Sequence, residues 1–214
     1  MLLRQSLQVY FIMGSNNCTG NPLAVLEQAL AGGITMFQFR EKGRGAKTGI
    51  DKQLLALQMK ELCHRHHVPF IVNDDVDLAI DVGADGIHVG QEDEPIDSVR
   101  RRCPGHFIVG VSATNVREAH EADSAGADYI GAGPVFATAT KHDAKAPIGI
   151  EGLSRIRRLI GNTPLVAIGG IHEKNAEEVI MAGADGISVI SAISRAENSL
   201  TAAQQLKLRT TVTE

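Results

Sequence analysis

Several stretches of this chain carry side chains suited to holding phosphate. Gln38-Phe39-Arg40-Glu41-Lys42 places two cations on either side of a glutamate. A guanidinium grips phosphate with a planar fork of N–H donors, and an ammonium neutralises it as a point charge. Asn73-Asp74-Asp75 and Gln91-Glu92-Asp93-Glu94-Pro95 supply carboxylates. One or two carboxylates completed by substrate phosphate is the usual way to hold Mg²⁺. Asp75 and the acids around Pro95 also suit helix starts, where they accept backbone N–H groups and complement the dipole. Asp74 and Asp93 are the pair read as cation ligands. Ser112 either meets a ligand phosphate or caps the helix after it. No His lies near it in the chain, so no serine nucleophile is read there. His88 is read as a hydrogen-bonded residue inside its strand rather than as a metal ligand.

A recurring phrase tells which elements must position these residues. It reads AGGITMFQF at 31–39, VGADGIHVG at 82–90, AGADYIGAG at 125–133 and AGADGISVI at 182–190. Each copy is read as a helix stopped by a left-handed glycine (Gly32, Gly83, Gly126 or Gly183), then a buried strand. Further apolar runs at 9–13, 69–72, 106–111 and 164–168 bring the strands to eight. Amphipathic segments at 22–31, 48–66, 116–125 and 175–182 stand among the helices between them. Alternating units of this kind, with strands apolar throughout, imply a closed parallel (β/α)8 TIM barrel. One domain over 1–214 is expected, with a final helix at about 198–209. No GxGxxG follows the first strand, against a dinucleotide-binding sheet.

Barrel chemistry sits on loops at the carboxyl ends of the strands, where the charged stretches fall. Gly133–Gly149 has no apolar periodicity and carries Thr138, Thr140, Lys141 and Lys145; it is read as a lid. Gly169-Gly170 after the seventh strand and Ile190-Ser191-Ala192-Ile193 after the eighth match the barrel phosphate site, with a short extra helix there. His64-Arg65-His66-His67 reads as a solvated helix end, and the arginines at 100–102 and at 155, 157 and 158 as exposed outer faces.

Composition excludes other classes. Of 214 residues, 25 are acidic and 21 basic, and only 4% are aromatic. A nucleic-acid binder would carry the opposite balance and rings for stacking. Cys18, Cys63 and Cys103 form no CxxC pair, so neither zinc nor a disulfide framework is indicated. The first segment is broken by Arg4 and Gln5, and no apolar run approaches about 18 residues. A cytoplasmic protein with no membrane contact is expected. Apolar stripes on outer helices permit a homo-oligomer.

Taken in order, QFREK at 38–42, NDD at 73–75, GIHVGQED at 86–93, GVS at 110–112, TATK at 138–141, IGGI at 168–171 and ISAI at 190–193 resemble the thiamine-phosphate synthase family. The resemblance runs from about Tyr10 to Ile193. It implies joining of hydroxymethylpyrimidine diphosphate to hydroxyethylthiazole phosphate, with release of diphosphate, by a dissociative route. It assigns one Mg²⁺ per subunit to Asp74 and Asp93. It gives the pyrimidine diphosphate to Gln38, Phe39, Arg40, Glu41, Lys42, Asn73, Ser112 and Lys141, of which Arg40, Lys42, Ser112 and Lys141 carry the catalysis. Thr138, Ala139, Thr140, Gly170, Ile190 and Ser191 receive the thiazole phosphate. The family often has His where Thr114 stands. A thiazole tautomerase-like barrel and a non-catalytic thiazole-phosphate-binding protein are the competing readings. Neither needs Asp74 and Asp93 together with Arg40, Lys42 and Lys141. A sugar-phosphate isomerase would leave the rim cations unexplained.

Overall fold

The computed structural model describes residues 3–138 and 145–211. Eight short strands form a closed barrel in chain order: β1 (Val9–Met13), β2 (Met36–Phe39), β3 (Phe70–Asn73), β4 (Gly86–Val89), β5 (Ile108–Ala113), β6 (Tyr129–Ala132), β7 (Leu165–Ile168) and β8 (Gly186–Val189). All neighbours are parallel, and β8 closes on β1 with Tyr10 opposite Ser188. The helices are α1 (Leu3–Ser6), α2 (Pro22–Ala31), α3 (Gly49–Arg65), α4 (Val76–Asp81), α5 (Ile96–Arg102), α6 (Val116–Ser124), α7 (Gly149–Ile160), α8 (Ala176–Met181), α9 (Ser191–Ser194) and α10 (Ser199–Thr210). The expected barrel, the short helix after the eighth strand and the final helix are therefore present.

Strand alternation separates two cores. One face of each strand packs against the helices, as Phe11, Phe37, Phe39, Phe70 and Val72 do. The other face fills the barrel, where Tyr10, Met36, Ile71, Tyr129 and Val166 meet. Parallel strands buried on both faces explain why the runs read as continuously apolar.

The repeated phrase does more than stop a helix. Its acidic residue clamps the strand before it. Asp85 accepts the N–H of Phe70 at 2.8 Å, Asp128 that of Val109 at 2.7 Å and Asp185 that of Leu165 at 2.8 Å. Thr35 Oγ1 serves the same role for Val9, at 2.8 Å. Aligned on Thr35, the first copy has Gly33, not Gly32, at the left-handed position. Gly33 has φ +92°, whereas Gly32 is right-handed at φ −75°. Gly32 is required for space instead, since a Cβ there would lie 2.4 Å from the carbonyl oxygen of Leu200.

Two arginines expected on exposed faces belong to these clamps. Arg100 donates to Asp128 and to the carbonyls of Phe107 and Gly126. Arg157 donates to Asp185 and to the carbonyl of Gly183. His64, at the end of α3, meets Asp85 at 2.9 Å. These bonds gather at the amino ends of the strands, so one end of the barrel is tied down and the other is left for a site.

Inside the barrel, Gly110 makes room for Tyr129. A Cβ at residue 110 would lie 2.0 Å from that ring. Overpacking a tight core costs about 1–3 kcal/mol, and a rigid barrel puts Gly110→Ala at the upper end. The melting temperature should fall by roughly 6–12 °C, on the order of 2–4 °C per kcal/mol at this size. An unchanged melting curve by circular dichroism would refute the close fit.

Candidate active site

A cavity of about 480 Å³ opens at the carboxyl ends of the strands. Its floor is a ring of inward-facing residues, one from each strand. Gln38, Asn73, His88, Ser112 and Ser188 make the polar part, and Ile12, Gly131 and Ile168 the remainder. Arg40 and Lys42 line it from the β2 end, Asp93 from the loop after β4, and Gly170, Ile190 and Ser191 from the last two strand ends. Thr138 and Lys145 lie at its edge. The sequence-expected Ala139, Thr140 and Lys141 fall outside the described residues.

Asp74 and Asp75 divide their work as the sequence suggests. Asp75 caps α4 by accepting the N–H of Leu78 at 3.0 Å, and it pairs with Lys52 at 2.7 Å. Asp74 takes left-handed backbone, φ +63°, and donates its N–H to the carbonyl of His88 at 2.9 Å. Aspartate tolerates that conformation better than most residues. The turn sends its carboxyl group toward Lys42, at 2.5 Å, and into hydrogen-bond contact with Asp93. Asp93 also accepts the N–H of Gly90 at 2.8 Å. The two carboxyl groups expected to converge from adjacent loops do so. Burial and the facing Asp93 hold the Asp74 carboxyl above its ordinary pKa, outweighing Lys42. Lys42 is raised in turn, chiefly by its hydrogen bond to Asp74. Among the described residues, no group of three or more His, Cys, Asp or Glu is arranged to hold a metal.

Two expected ligand residues point elsewhere. Glu41 is buried, and its carboxylate accepts the N–H and hydroxyl of Ser15 at 2.7 and 2.6 Å and the N–H of Lys47 at 2.6 Å. It brackets two loops, with a partner too distant in sequence to be read. Phe39 is 1% exposed and stacks on Phe70 in the layer between strands and helices. Strand alternation that turns Gln38 inward must turn Phe39 outward, which leaves only backbone at residue 39 for the cavity.

The loop after β6 is pinned to the end of β7. Val135 and Phe136 donate their N–H groups to the carbonyls of Ile168 and Gly169, at 2.8 and 3.0 Å. This sets Phe136 and Ala137 against Gly170, with Thr138 following them in the lining of the cavity. Thr114, where a histidine is often expected, is held by Glu118, which accepts its N–H and hydroxyl at 2.7 and 2.8 Å. Asn115 completes the same helix cap by accepting the N–H of Glu118.

Sequence reading missed the connections beneath this floor. His88 Nε2 lies 2.8 Å from Ser112 Oγ, although the two are distant in the chain. Adjacency of β4 and β5 makes the pair. Tyr10 and Tyr129 are buried below, and the sequence marks them only as strand residues. Ser188 Oγ is buried without a hydrogen-bond partner among the described residues. Period-two alternation along each strand was the signal that could have picked out these inward residues.

Fold and site together define a (β/α)8-barrel protein with a charged, open cavity at its carboxyl end. A family model described as thiamine monophosphate synthase matches residues 9–193. A thiamine-phosphate synthase of Anoxybacillus flavithermus is 56% identical over 197 residues, covering 92% of this chain and 90% of that one. One from Bacillus cereus is 56% identical over 200 residues, covering 94% and 91%. A solved thiamine phosphate pyrophosphorylase from Pyrococcus furiosus superposes with a TM-score of 0.88 at 37% identity, over 97% of both chains. The chain belongs to the thiamine monophosphate synthase family and is a transferase of thiamine biosynthesis.

The pKa of Asp74 carries a stability consequence. A carboxyl group raised in the folded state favours folding when protonated and opposes it when ionised. That opposition sets in as pH rises through the folded-state pKa. Asp74→Asn should therefore raise the melting temperature of metal-free protein at pH 7. The gain should shrink as pH falls and vanish below the ordinary carboxylate pKa of about 4. A loss of stability at pH 7, read by differential scanning calorimetry, would contradict the assigned direction.

Proposed function

We propose that this chain joins hydroxymethylpyrimidine diphosphate to hydroxyethylthiazole phosphate, giving thiamine phosphate and diphosphate. The observation that carries the reading is the set of Arg40, Lys42 and Asp93 lining one side of the cavity, with Asp74 bound to Lys42 and Asp93, while Gly170, Ile190 and Ser191 line it at the last two strand ends. One side suits a highly charged diphosphate. The other, at the last two strand ends, suits a single phosphate held by backbone donors.

Asp74 and Asp93 are the residues that would hold one Mg²⁺. The donor set fits it, because two carboxyl groups in hydrogen-bond contact are the hard oxygen ligands that Mg²⁺ takes. When bound, the ion would supply charge neutralisation to the leaving diphosphate. The remaining work falls to the chain. Arg40, Lys42 and Lys141 orient and stabilise the diphosphate as the bond from its oxygen to the pyrimidine methylene carbon breaks. The electron pair leaves on that oxygen. The methylene cation is then captured by the thiazole nitrogen, whose lone pair forms the new C–N bond. Positioning and charge suffice, and no covalent intermediate is needed. Thr138, Ala139 and Thr140 belong with the thiazole phosphate. The lid expected at 133–149, of which residues 139–144 lie outside the described residues, would serve to exclude water, which would otherwise trap the cation.

No helix among the described residues is long and apolar enough to cross a membrane. A cytoplasmic setting suits the three thiols, none of them in a disulfide. Exposed Ile50, Leu54 and Leu57 on α3 form the stripe that would support a homo-oligomer.

The test is diphosphate release with purified protein and both substrates, with and without Mg²⁺. Release should depend on the metal, and net thiamine phosphate on the thiazole. Asp93→Asn keeps an acceptor for Gly90 yet removes the charge, so turnover should fall about 100-fold with no loss of melting temperature. Full activity in that variant, or in chelator, would defeat the metal assignment.

A further inference from the structure

A single line of hydrogen bonds crosses the barrel beneath the cavity. Gln38 Nε2 donates to the Tyr10 hydroxyl at 2.7 Å. The Tyr10 and Tyr129 hydroxyls lie 2.8 Å apart. Tyr129 reaches His88 Nδ1 at 3.0 Å, and His88 Nε2 reaches Ser112 Oγ at 2.8 Å. Both ends stand on the cavity floor, and both tyrosines are almost wholly buried.

The line has a direction. A hydroxyl donates one hydrogen, and an amide nitrogen only donates. Gln38 donates to Tyr10, and the buried Tyr10 hydroxyl has the Tyr129 oxygen as the acceptor for its own hydrogen; with Tyr129 accepting there, its hydrogen goes to His88 Nδ1. Burial holds both phenols well above their ordinary pKa, so each keeps its hydrogen. A neutral imidazole that accepts at Nδ1 carries its hydrogen on Nε2. Ser112 Oγ then accepts, and its own hydrogen points away from His88. The ring has little freedom to turn. It stacks on Tyr129 at 5.5 Å between centroids, and a Cβ at residue 131 would lie 3.1 Å from its Cε1. Gln91 Nε2 grips the Ser112 carbonyl at 2.6 Å, fixing the serine from a second side.

We propose that His88, held as the Nε2–H tautomer by Tyr129, is a positioning residue that makes Ser112 a hydrogen-bond donor to the anionic ligand and denies it a base. The Ser–His contact has the spacing of a nucleophile and its base. Its polarity is reversed, because Nε2 already carries a hydrogen and cannot take the serine's. The proposal deepens the reading above, and rests on it only for the identity of the anion as diphosphate.

The first test needs no substrate. Long-range proton–nitrogen correlation spectra of histidine-labelled protein, with His88 assigned by its loss in His88→Gln, should show Nε2 protonated and Nδ1 bare. That pattern should persist in Ser112→Ala and give way to mixed tautomers in Tyr129→Phe. An Nδ1–H tautomer or an imidazolium in the unaltered protein would overturn the assignment whatever the enzyme's activity. The second test is kinetic. Loss of a hydrogen bond to a charged group should lower kcat about tenfold in both Ser112→Ala and Tyr129→Phe, with KM for each substrate little changed. The double variant should be no slower than Ser112→Ala, because both changes remove one donor. Multiplied losses would mark Tyr129 as structural only, and covalent capture of Ser112 by a fluorophosphonate would restore it as a nucleophile. Failure to form thiamine phosphate would count against the proposed reaction alone, since the nitrogen spectra still decide the tautomer.

Discussion

Asp74 and Asp93 face each other across two adjacent loops, and the backbone leaves neither much room to retreat. Asp74 is turned inward by its left-handed conformation and anchored through its N–H to β4. Asp93 is anchored through the N–H of Gly90. Like charges so placed raise the free energy of the folded protein unless a proton or cation lies between them. Lys42 answers part of that demand. The same strain makes the carboxyl end of the barrel a place for positive charge and, through it, for phosphate.

The rest of the architecture keeps that end available. Acidic residues of the repeated phrase, backed by Arg100, Arg157 and His64, tie the amino ends of the strands. Hydrophobic packing between strands and helices supplies most of the stability. The loops at the other end are thus relieved of holding the fold, and their side chains can take strained or charged arrangements. Glu41 is an exception, a charged loop residue whose work is to hold loops together.

Between the apolar layers lies a polar seam. A barrel interior filled wholly by aliphatic groups would give a rigid floor with no chemistry. Here Gln38, Tyr10, Tyr129, His88 and Ser112 satisfy one another, which avoids the cost of burying unpaired polar groups. Glycines at 110 and 131 make room for the rings of this seam. The seam links one wall of the cavity to the other.

Local information in the chain sufficed for much of this. Continuous apolar runs, the four copies of the phrase and the helix cap at Asp75 depend on neighbours a few residues apart, so eight strands and the site-bearing loops were legible. So was the separation of Asp75, a cap, from Asp74, a partner of Asp93. What the barrel alone decided involves partners from different strands. Glu41 was drawn to Ser15, and His88 was set against Ser112. Residues adjacent around a closed parallel barrel are separated in the chain by a whole helix and its loops, so their pairing appears only once the strands are in register.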